Sequence, residues 1–448
     1  MQHATTTPHQ ARRYGRAGSP ACGFGQEAAV TKAADSRTPA PRQRPRPSGL
    51  AAATGALILA LSACAVSTPA ASASSTPAAS TSPAANSAAA KSSGTPYLPK
   101  PTGSHPVGTI SLHLKDASRP DPWVPEAKQR ELMVSLWYPA KAPSGRRAPY
   151  LTAKESELIL KGVEITGVPY DALSKTRTNS FLDAKPAGRR HSLPLVVLSP
   201  GFTEPRSSLT ALAEDLASRG YVVAGIEHTY ESLATSFPDG RVTTCAACQD
   251  GKGEAFWAKV GQSRAADVSF VLDELTGTRP KWKSASLIDN KRIAMAGQSA
   301  GGASTITTML KDTRVRAGIN MDGTTFAPIP DTGLPRPFMF LGIQTMHSPG
   351  GKDTTWERDW AHLTGWKRWL VVTGAEHASF TDTALLVEQL GIYRNPHLTA
   401  ARAVEITRAY TRAFFDQHLR NKPQPSLNKP SARYPEVKLC SVKTKTCP

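Results

Sequence analysis

Acidic residues are in short supply in this 448-residue sequence: 35 Asp and Glu stand against 54 Lys and Arg, a formal net charge of +19. That excess raises the question of a nucleic-acid partner. No Lys/Arg run with interleaved aromatics appears, however, so nucleic-acid binding is set aside. Residues 1–64 hold eight of the basic and two of the acidic residues, which leaves +13 on the remainder. A chain of that charge suits an anionic cell envelope or anionic lipid head groups. No internal repeat is visible, which removes solenoid and propeller architectures.

The N-terminal region also lacks an apolar run long enough to span a bilayer. Residues 50–61 are too short for that and suit the h-region of a signal peptide, with Arg42, Arg44 and Arg46 ahead of them. Leu61-Ser62-Ala63-Cys64 resembles a bacterial lipobox, which implies cleavage before Cys64 and a diacylglycerol anchor on its thiol. The competing reading is an ordinary signal peptide with an incidental cysteine. Residues 1–64 are thus expected to be the leader of an exported, membrane-anchored lipoprotein, with a true start that would lie nearer Arg42. Arg12-Arg13 has no h-region close behind it and makes a poor twin-arginine signal. Residues 65–104, almost wholly Ser, Ala, Thr and Pro, cannot bury enough apolar surface to fold and read as a tether. The globular part is expected over 105–448.

Cysteine is scarce. Besides Cys22 and Cys64 there are two close pairs, Cys245/Cys248 and Cys440/Cys447, which in an exported protein read as local disulfides. A zinc site would need all four to converge, which their separation neither supports nor excludes.

From residue 105 onward the pattern alternates between strands and helices. Residues 107–114 and 131–138 alternate apolar and polar, as antiparallel strands do. Residues 150–190 break the pattern and read as an insertion over the sheet edge, a possible lid with little amphipathicity. The runs 193–198, 221–226, 292–296, 315–321, 338–343 and 369–372 are continuously apolar, as buried parallel strands are. Helical periods fall at 209–218, 255–275, 302–311 and 401–419. This order predicts an α/β fold: a doubly wound, mostly parallel sheet with helices on both faces.

In such a fold, catalytic groups sit at the carboxyl ends of strands. Gly297-Gln298-Ser299-Ala300-Gly301 follows one strand and precedes a helix, the layout of a nucleophile elbow. Alone the pentapeptide is weak, since it would also describe a serine in a Gly-rich turn. Asp322 follows the next strand, and His377 the last, so the chain order is Ser, Asp, His. Asp353 and Asp359 are the alternative acids. An oxyanion hole needs two backbone donors. The N–H of Ala300 is one, and that of Phe202, in the loop Ser199-Pro200-Gly201-Phe202-Thr203, is the other, with the Phe202 ring flanking the acyl pocket. His228 either lines the site or serves a structural hydrogen-bonding role.

Ser199-Pro200-Gly201-Phe202, Glu227-His228, Gly297-Gln298-Ser299-Ala300-Gly301-Gly302, Asp322-Gly323 and His377-x-x-Phe380-x-Asp382 occur here in fixed order. Together they resemble the platelet-activating factor acetylhydrolase family (plasma and intracellular type II), within the bacterial lipase- and cutinase-like α/β hydrolases. The likeness runs over residues 105–436. It implies an α/β-hydrolase fold and a serine esterase using Ser299, His377 and Asp322, with no metal or organic cofactor. The substrate would be a lipid or short-acyl ester. The Ser-Pro-Gly-aromatic loop is closer to cutinase-like polyesterases, so a polyester hydrolase or an acyltransferase on the same scaffold is the alternative.

Overall fold

The computed structural model describes residues 94–448. The leader, Cys64 and most of the tether lie outside the described residues. The packed chain starts ahead of residue 105. Leu98 is buried, its N–H donates to the Arg177 carbonyl (2.9 Å), and the Thr102 N–H donates to Asp215 (2.7 Å).

In chain order the elements are β1 (Val107–Asp116), β2 (Arg130–Pro139), β3 (Arg147–Pro149), α1 (Ala153–Gly162), β4 (Arg177–Leu182), β5 (Leu193–Ser199), α2 (Thr210–Ser218) and β6 (Val222–Glu227). The small pair β7 (Thr235–Ser236) and β8 (Val242–Thr243) leads to α3 (Glu254–Thr276), β9 (Ile288–Gln298), α4 (Ala300–Lys311), β10 (Val315–Met321) and β11 (Phe338–Ile343). Then follow α5 (Gln344–His347), α6 (Thr355–His362), β12 (Lys367–Val372), α7 (Asp382–Gln389), α8 (Ala400–Arg420) and β13 (Val437–Leu439).

Eleven strands form one sheet in the order β13-β12-β11-β10-β9-β5-β6-β2-β1-β4-β3. The six from β12 to β6 run parallel, and β2 and β13 flank them antiparallel. The expected insertion at 150–190 does more than cover the edge. Its residues supply β4, which pairs with β1, while β3 just before it pairs with β4.

Strand periodicity explains why β5 reads as an unbroken apolar run. Val196 and Leu198 face a core shared with α2 and α8, through Leu212, Leu216, Phe414 and Phe415. Leu195 and Val197 face the opposite core, shared with α3 and α4 through Val268, Leu272, Ile306 and Met309. Both faces are dry, so neither tolerates a polar side chain. After β5 the chain builds outward to β6 and then returns to place β9 on the other side. The order therefore reverses between β5 and β9, and a crevice opens at their carboxyl ends. This is the α/β-hydrolase arrangement. No helix among the described residues is long and apolar enough to cross a membrane.

Leu195 is fully buried at the centre of this sheet. Leu195→Ala should lower stability by about 2–5 kcal/mol, read as a fall in the urea midpoint at unchanged m-value. A midpoint equal to wild type would contradict the two-sided core.

Candidate active site

Two glycines shape the elbow between β9 and α4. A Cβ on Gly297 would lie 2.2 Å from the Gly301 carbonyl carbon, and one on Gly301 would lie 2.0 Å from the Ser199 oxygen. Both distances are impossible, so only glycine lets the turn close this tightly against β5. Ser299 pays for the turn with φ 54°, ψ −121°, a region that L residues avoid. Its N–H donates to the Met321 carbonyl at 2.8 Å, which locks the strained residue to the end of β10.

Asp322 follows directly, itself at φ 58° and 2% exposed. Its Oδ2 lies 2.6 Å from His377 Nδ1. Its Oδ1 accepts from the Ile343 N–H at 2.7 Å and meets His347 Nδ1 at 2.7 Å. Burial pushes the Asp322 carboxyl up, but the hydrogen bonds from His347 and His377 outweigh it and hold it at about 2. An ionised acceptor on Nδ1 puts the His377 proton there and leaves Nε2 with a lone pair. That lone pair faces the half-exposed cleft, where Gln298 Nε2 sits at 3.2 Å. Ser299 Oγ has no hydrogen-bond partner among the described residues. Ser299, Ala300, Asp322 and His377 line one cleft of about 180 Å³.

The alternative acids go elsewhere. Asp353 does not reach His377; its Oδ2 lies 3.0 Å from His347 Nε2 and accepts from Thr324 Oγ1 at 2.5 Å. Asp359 is buried in α6, bonded to Thr325 Oγ1, the Ile329 N–H and Arg358. His347 is a site residue that the strand-end rule passed over. It stands four positions beyond β11, a strand end where only carboxylates had been sought.

The loop after β5 lies against the elbow. A Cβ on Gly201 would sit 3.6 Å from Ser299 Cβ and 2.6 Å from Gln298 Oε1. Beneath the loop lies a second Ser-His-Asp set: Ser199 Oγ is 2.9 Å from His228 Nε2, and His228 Nδ1 is 2.8 Å from Asp267 Oδ2. All three are buried, so they meet no substrate. Burial, with the charge of Arg264 beside it, pushes the His228 pKa down, which keeps the ring neutral. Arg264 donates to the carbonyls of Pro200 (2.5 Å) and Gly201 (3.4 Å), and its Nε to Glu231 (2.8 Å). In a trans peptide the N–H points opposite the carbonyl. Turning the Gly201 carbonyl to Arg264 therefore turns the Phe202 N–H away from it, free of any acceptor among the described residues. The Phe202 ring does not line the cleft. It packs edge-on against Phe256 and Trp257, both 5.5 Å away between centroids, and so braces the wall from behind.

That wall is Trp257, stacked on Phe326 at 5.4 Å and 12°, with Val260, Ala303 and Ala327. Cys245 and Cys248 are disulfide-bonded and pack in the same apolar cluster as Phe256, Val260 and Ala300. Cys440 and Cys447 form the second disulfide, so neither pair offers thiolates to a metal.

The family described as platelet-activating factor acetylhydrolase, isoform II, matches residues 90–266 and 280–423. A "probable 1-alkyl-2-acetylglycerophosphocholine esterase" of Arthroderma benhamiae is 28% identical over 76% of this chain and 92% of its own. The platelet-activating factor acetylhydrolase of Cavia porcellus is 25% identical over 42% of this chain and 48% of its own. The solved structure of a ferulic acid esterase from Streptomyces cinnamoneus is 43% identical, with a TM-score of 0.69, covering 78% of this chain and all of that one.

Burial opposes a charged His347, but the hydrogen bonds to Asp322 and Asp353 outweigh it and push its pKa from the usual 6.5 up to about 9. The folded chain holds this proton more tightly than the unfolded chain does. Its stabilisation is therefore complete below pH 6.5 and is lost as pH rises through about 9. The melting temperature should fall between about pH 6.5 and pH 10, by an amount worth at most ~3 kcal/mol. His347→Gln should flatten that slope, and an unchanged slope in the variant would assign the loss to other groups.

Proposed function

The chain belongs to the platelet-activating factor acetylhydrolase isoform II family of carboxylic ester hydrolases, and from that membership we propose that Ser299 is its nucleophile, His377 its general base and Asp322 the carboxylate that orients His377. The observation that carries this reading is the 2.6 Å contact of Asp322 Oδ2 with His377 Nδ1 beside an unpartnered Ser299 Oγ. When an ester enters, His377 Nε2 exchanges the Gln298 amide for the Ser299 hydroxyl. It takes that proton as Oγ attacks the carbonyl carbon. The developing oxyanion is met by the N–H groups of Ala300 and Phe202, which need no reorganisation at that moment. His377 then protonates the departing alcohol, and water repeats the sequence to release the acid.

A cleft of about 180 Å³ walled by stacked Trp257 and Phe326 suits a compact acyl group, acetyl or a flat aromatic acid, over a long chain. The names of the relatives favour the same range of esters. We also read residues 1–64 as an export leader ending in a lipid anchor on Cys64. The lipobox supports this, as do two disulfides of the kind that persist outside a reducing cytosol.

Ser299→Ala should abolish p-nitrophenyl acetate hydrolysis and labelling by a serine-directed phosphonate; turnover at the wild-type rate in that variant would sink the assignment. Asp322→Asn should lower kcat on the order of 10³- to 10⁴-fold, with a smaller loss for Asp353→Asn. Across p-nitrophenyl esters from acetate to palmitate, kcat/KM should fall with chain length while methyl ferulate remains a substrate. A rise toward palmitate would overturn the compact-acyl reading.

A further inference from the structure

His347 occupies an unusual position: both of its ring nitrogens face carboxylates. Nδ1 lies 2.7 Å from Asp322 Oδ1 and Nε2 lies 3.0 Å from Asp353 Oδ2. A neutral imidazole has one N–H and cannot donate to both; an imidazolium can. The ring is 3% exposed and stacks on Trp356 at 4.1 Å and 18°, a face that attracts a cation.

The groups around it serve the same state. From the end of β10 come Asp322 and Thr324, whose hydroxyl donates to Asp353 Oδ2. From the start of α6 come Trp356 and the Thr355 N–H, which donates to Asp353 Oδ1 at 2.7 Å. From β12, Trp369 Nε1 donates to the His347 carbonyl at 2.7 Å and fixes the backbone. Burial pushes the Asp353 carboxyl up, but hydrogen bonds from His347, Thr324 and Thr355 outweigh it and hold it below the usual carboxylate range. On the opposite side of Asp322, His377 is faced by Gln298 and by the charge of Glu204.

We propose that His347 is a positioning residue of the hydrolytic site: an imidazolium clamped between Asp322 and Asp353 that fixes the carboxylate orienting His377. The proposal rests on Ser299, His377 and Asp322 being the hydrolytic site. Asp322 is bonded to two histidines at once, one already charged. When His377 takes the Ser299 proton, it becomes a second cation on a carboxylate whose charge is half spoken for. Asp353 supplies the counter-charge that keeps His347 protonated.

The test is the acid limb of kcat/KM against pH for an unhindered ester. His347→Gln removes the cation and should move that limb upward by about half a pH unit or more. Asp353→Asn removes an anion and loosens the proton on His347, two changes of opposite sign in the charge near His377, so its limb should move up by less than in His347→Gln, stay in place or move down. General damage to the site would move both variants alike. A limb unmoved in His347→Gln, or raised as far in Asp353→Asn as in His347→Gln, overturns the proposal. Should the variants not fold, ¹⁵N side-chain spectra of the wild-type protein give the answer directly. Two protonated ring nitrogens on His347 at neutral pH support the proposal, and one refutes it. Phosphonate labelling of wild-type Ser299 is run alongside. If Ser299 is unlabelled, the site reading fails; if it is labelled while the limb stays in place, only the role of His347 fails.

Discussion

A carboxylate shut away from water must find every proton donor it needs inside the protein, and the crevice is organised around that requirement at Asp322. Three donors reach it: a backbone N–H at the end of β11 and two histidines from different strand ends. Meeting them forces the backbone into a left-handed conformation, and the neighbours make room. A Cβ on Gly342 would come within 2.6 Å of Trp356, and one on Gly323 within 2.2 Å of the Ser299 oxygen. Asp322 and Ser299 are thus seated against each other by close backbone approach.

The parts of this arrangement that were legible in the sequence are those that depend on local order. Ser299, Asp322 and His377 each follow an apolar run, and a continuous apolar run in an α/β chain is a buried parallel strand whose carboxyl end opens on the crevice. The elbow glycines are local as well, since the turn itself excludes a Cβ. What stayed hidden depends on pairing across the chain. His347 and Asp353 gain meaning only once β11 lies beside β10. The choice between Asp322 and Asp353 could not be made from spacing because both belong to one chain of hydrogen bonds running outward from His377. Likewise Ser199, His228 and Asp267 come from three separate elements. The edge strands β3, β4 and β13 are too short or too polar to show a period, and residues 96–103 resemble the tether until their partners are seen.

The proposed chemistry and the proposed selectivity draw on different parts of the molecule. The relatives act on unlike esters by name, yet the groups proposed to react all stand at or just beyond the ends of β5, β9, β10 and β12. The wall that an acyl group would touch comes from α3 and the loop after β10, through Trp257, Val260, Phe326 and Ala327.

That division is incomplete, because α3 serves both ends. Trp257, Val260 and Gly261 face the cleft, while Arg264 and Asp267, one to two turns further on, carry the loop that presents the Phe202 N–H. A helix is stiff over that length, so tilting it to widen the slot for a bulkier acid also moves the guanidinium that aims the Phe202 N–H. Drift in substrate preference along this lineage would then be channelled: side-chain exchange at the wall is mechanically silent, whereas re-angling the helix is felt at the reacting carbonyl.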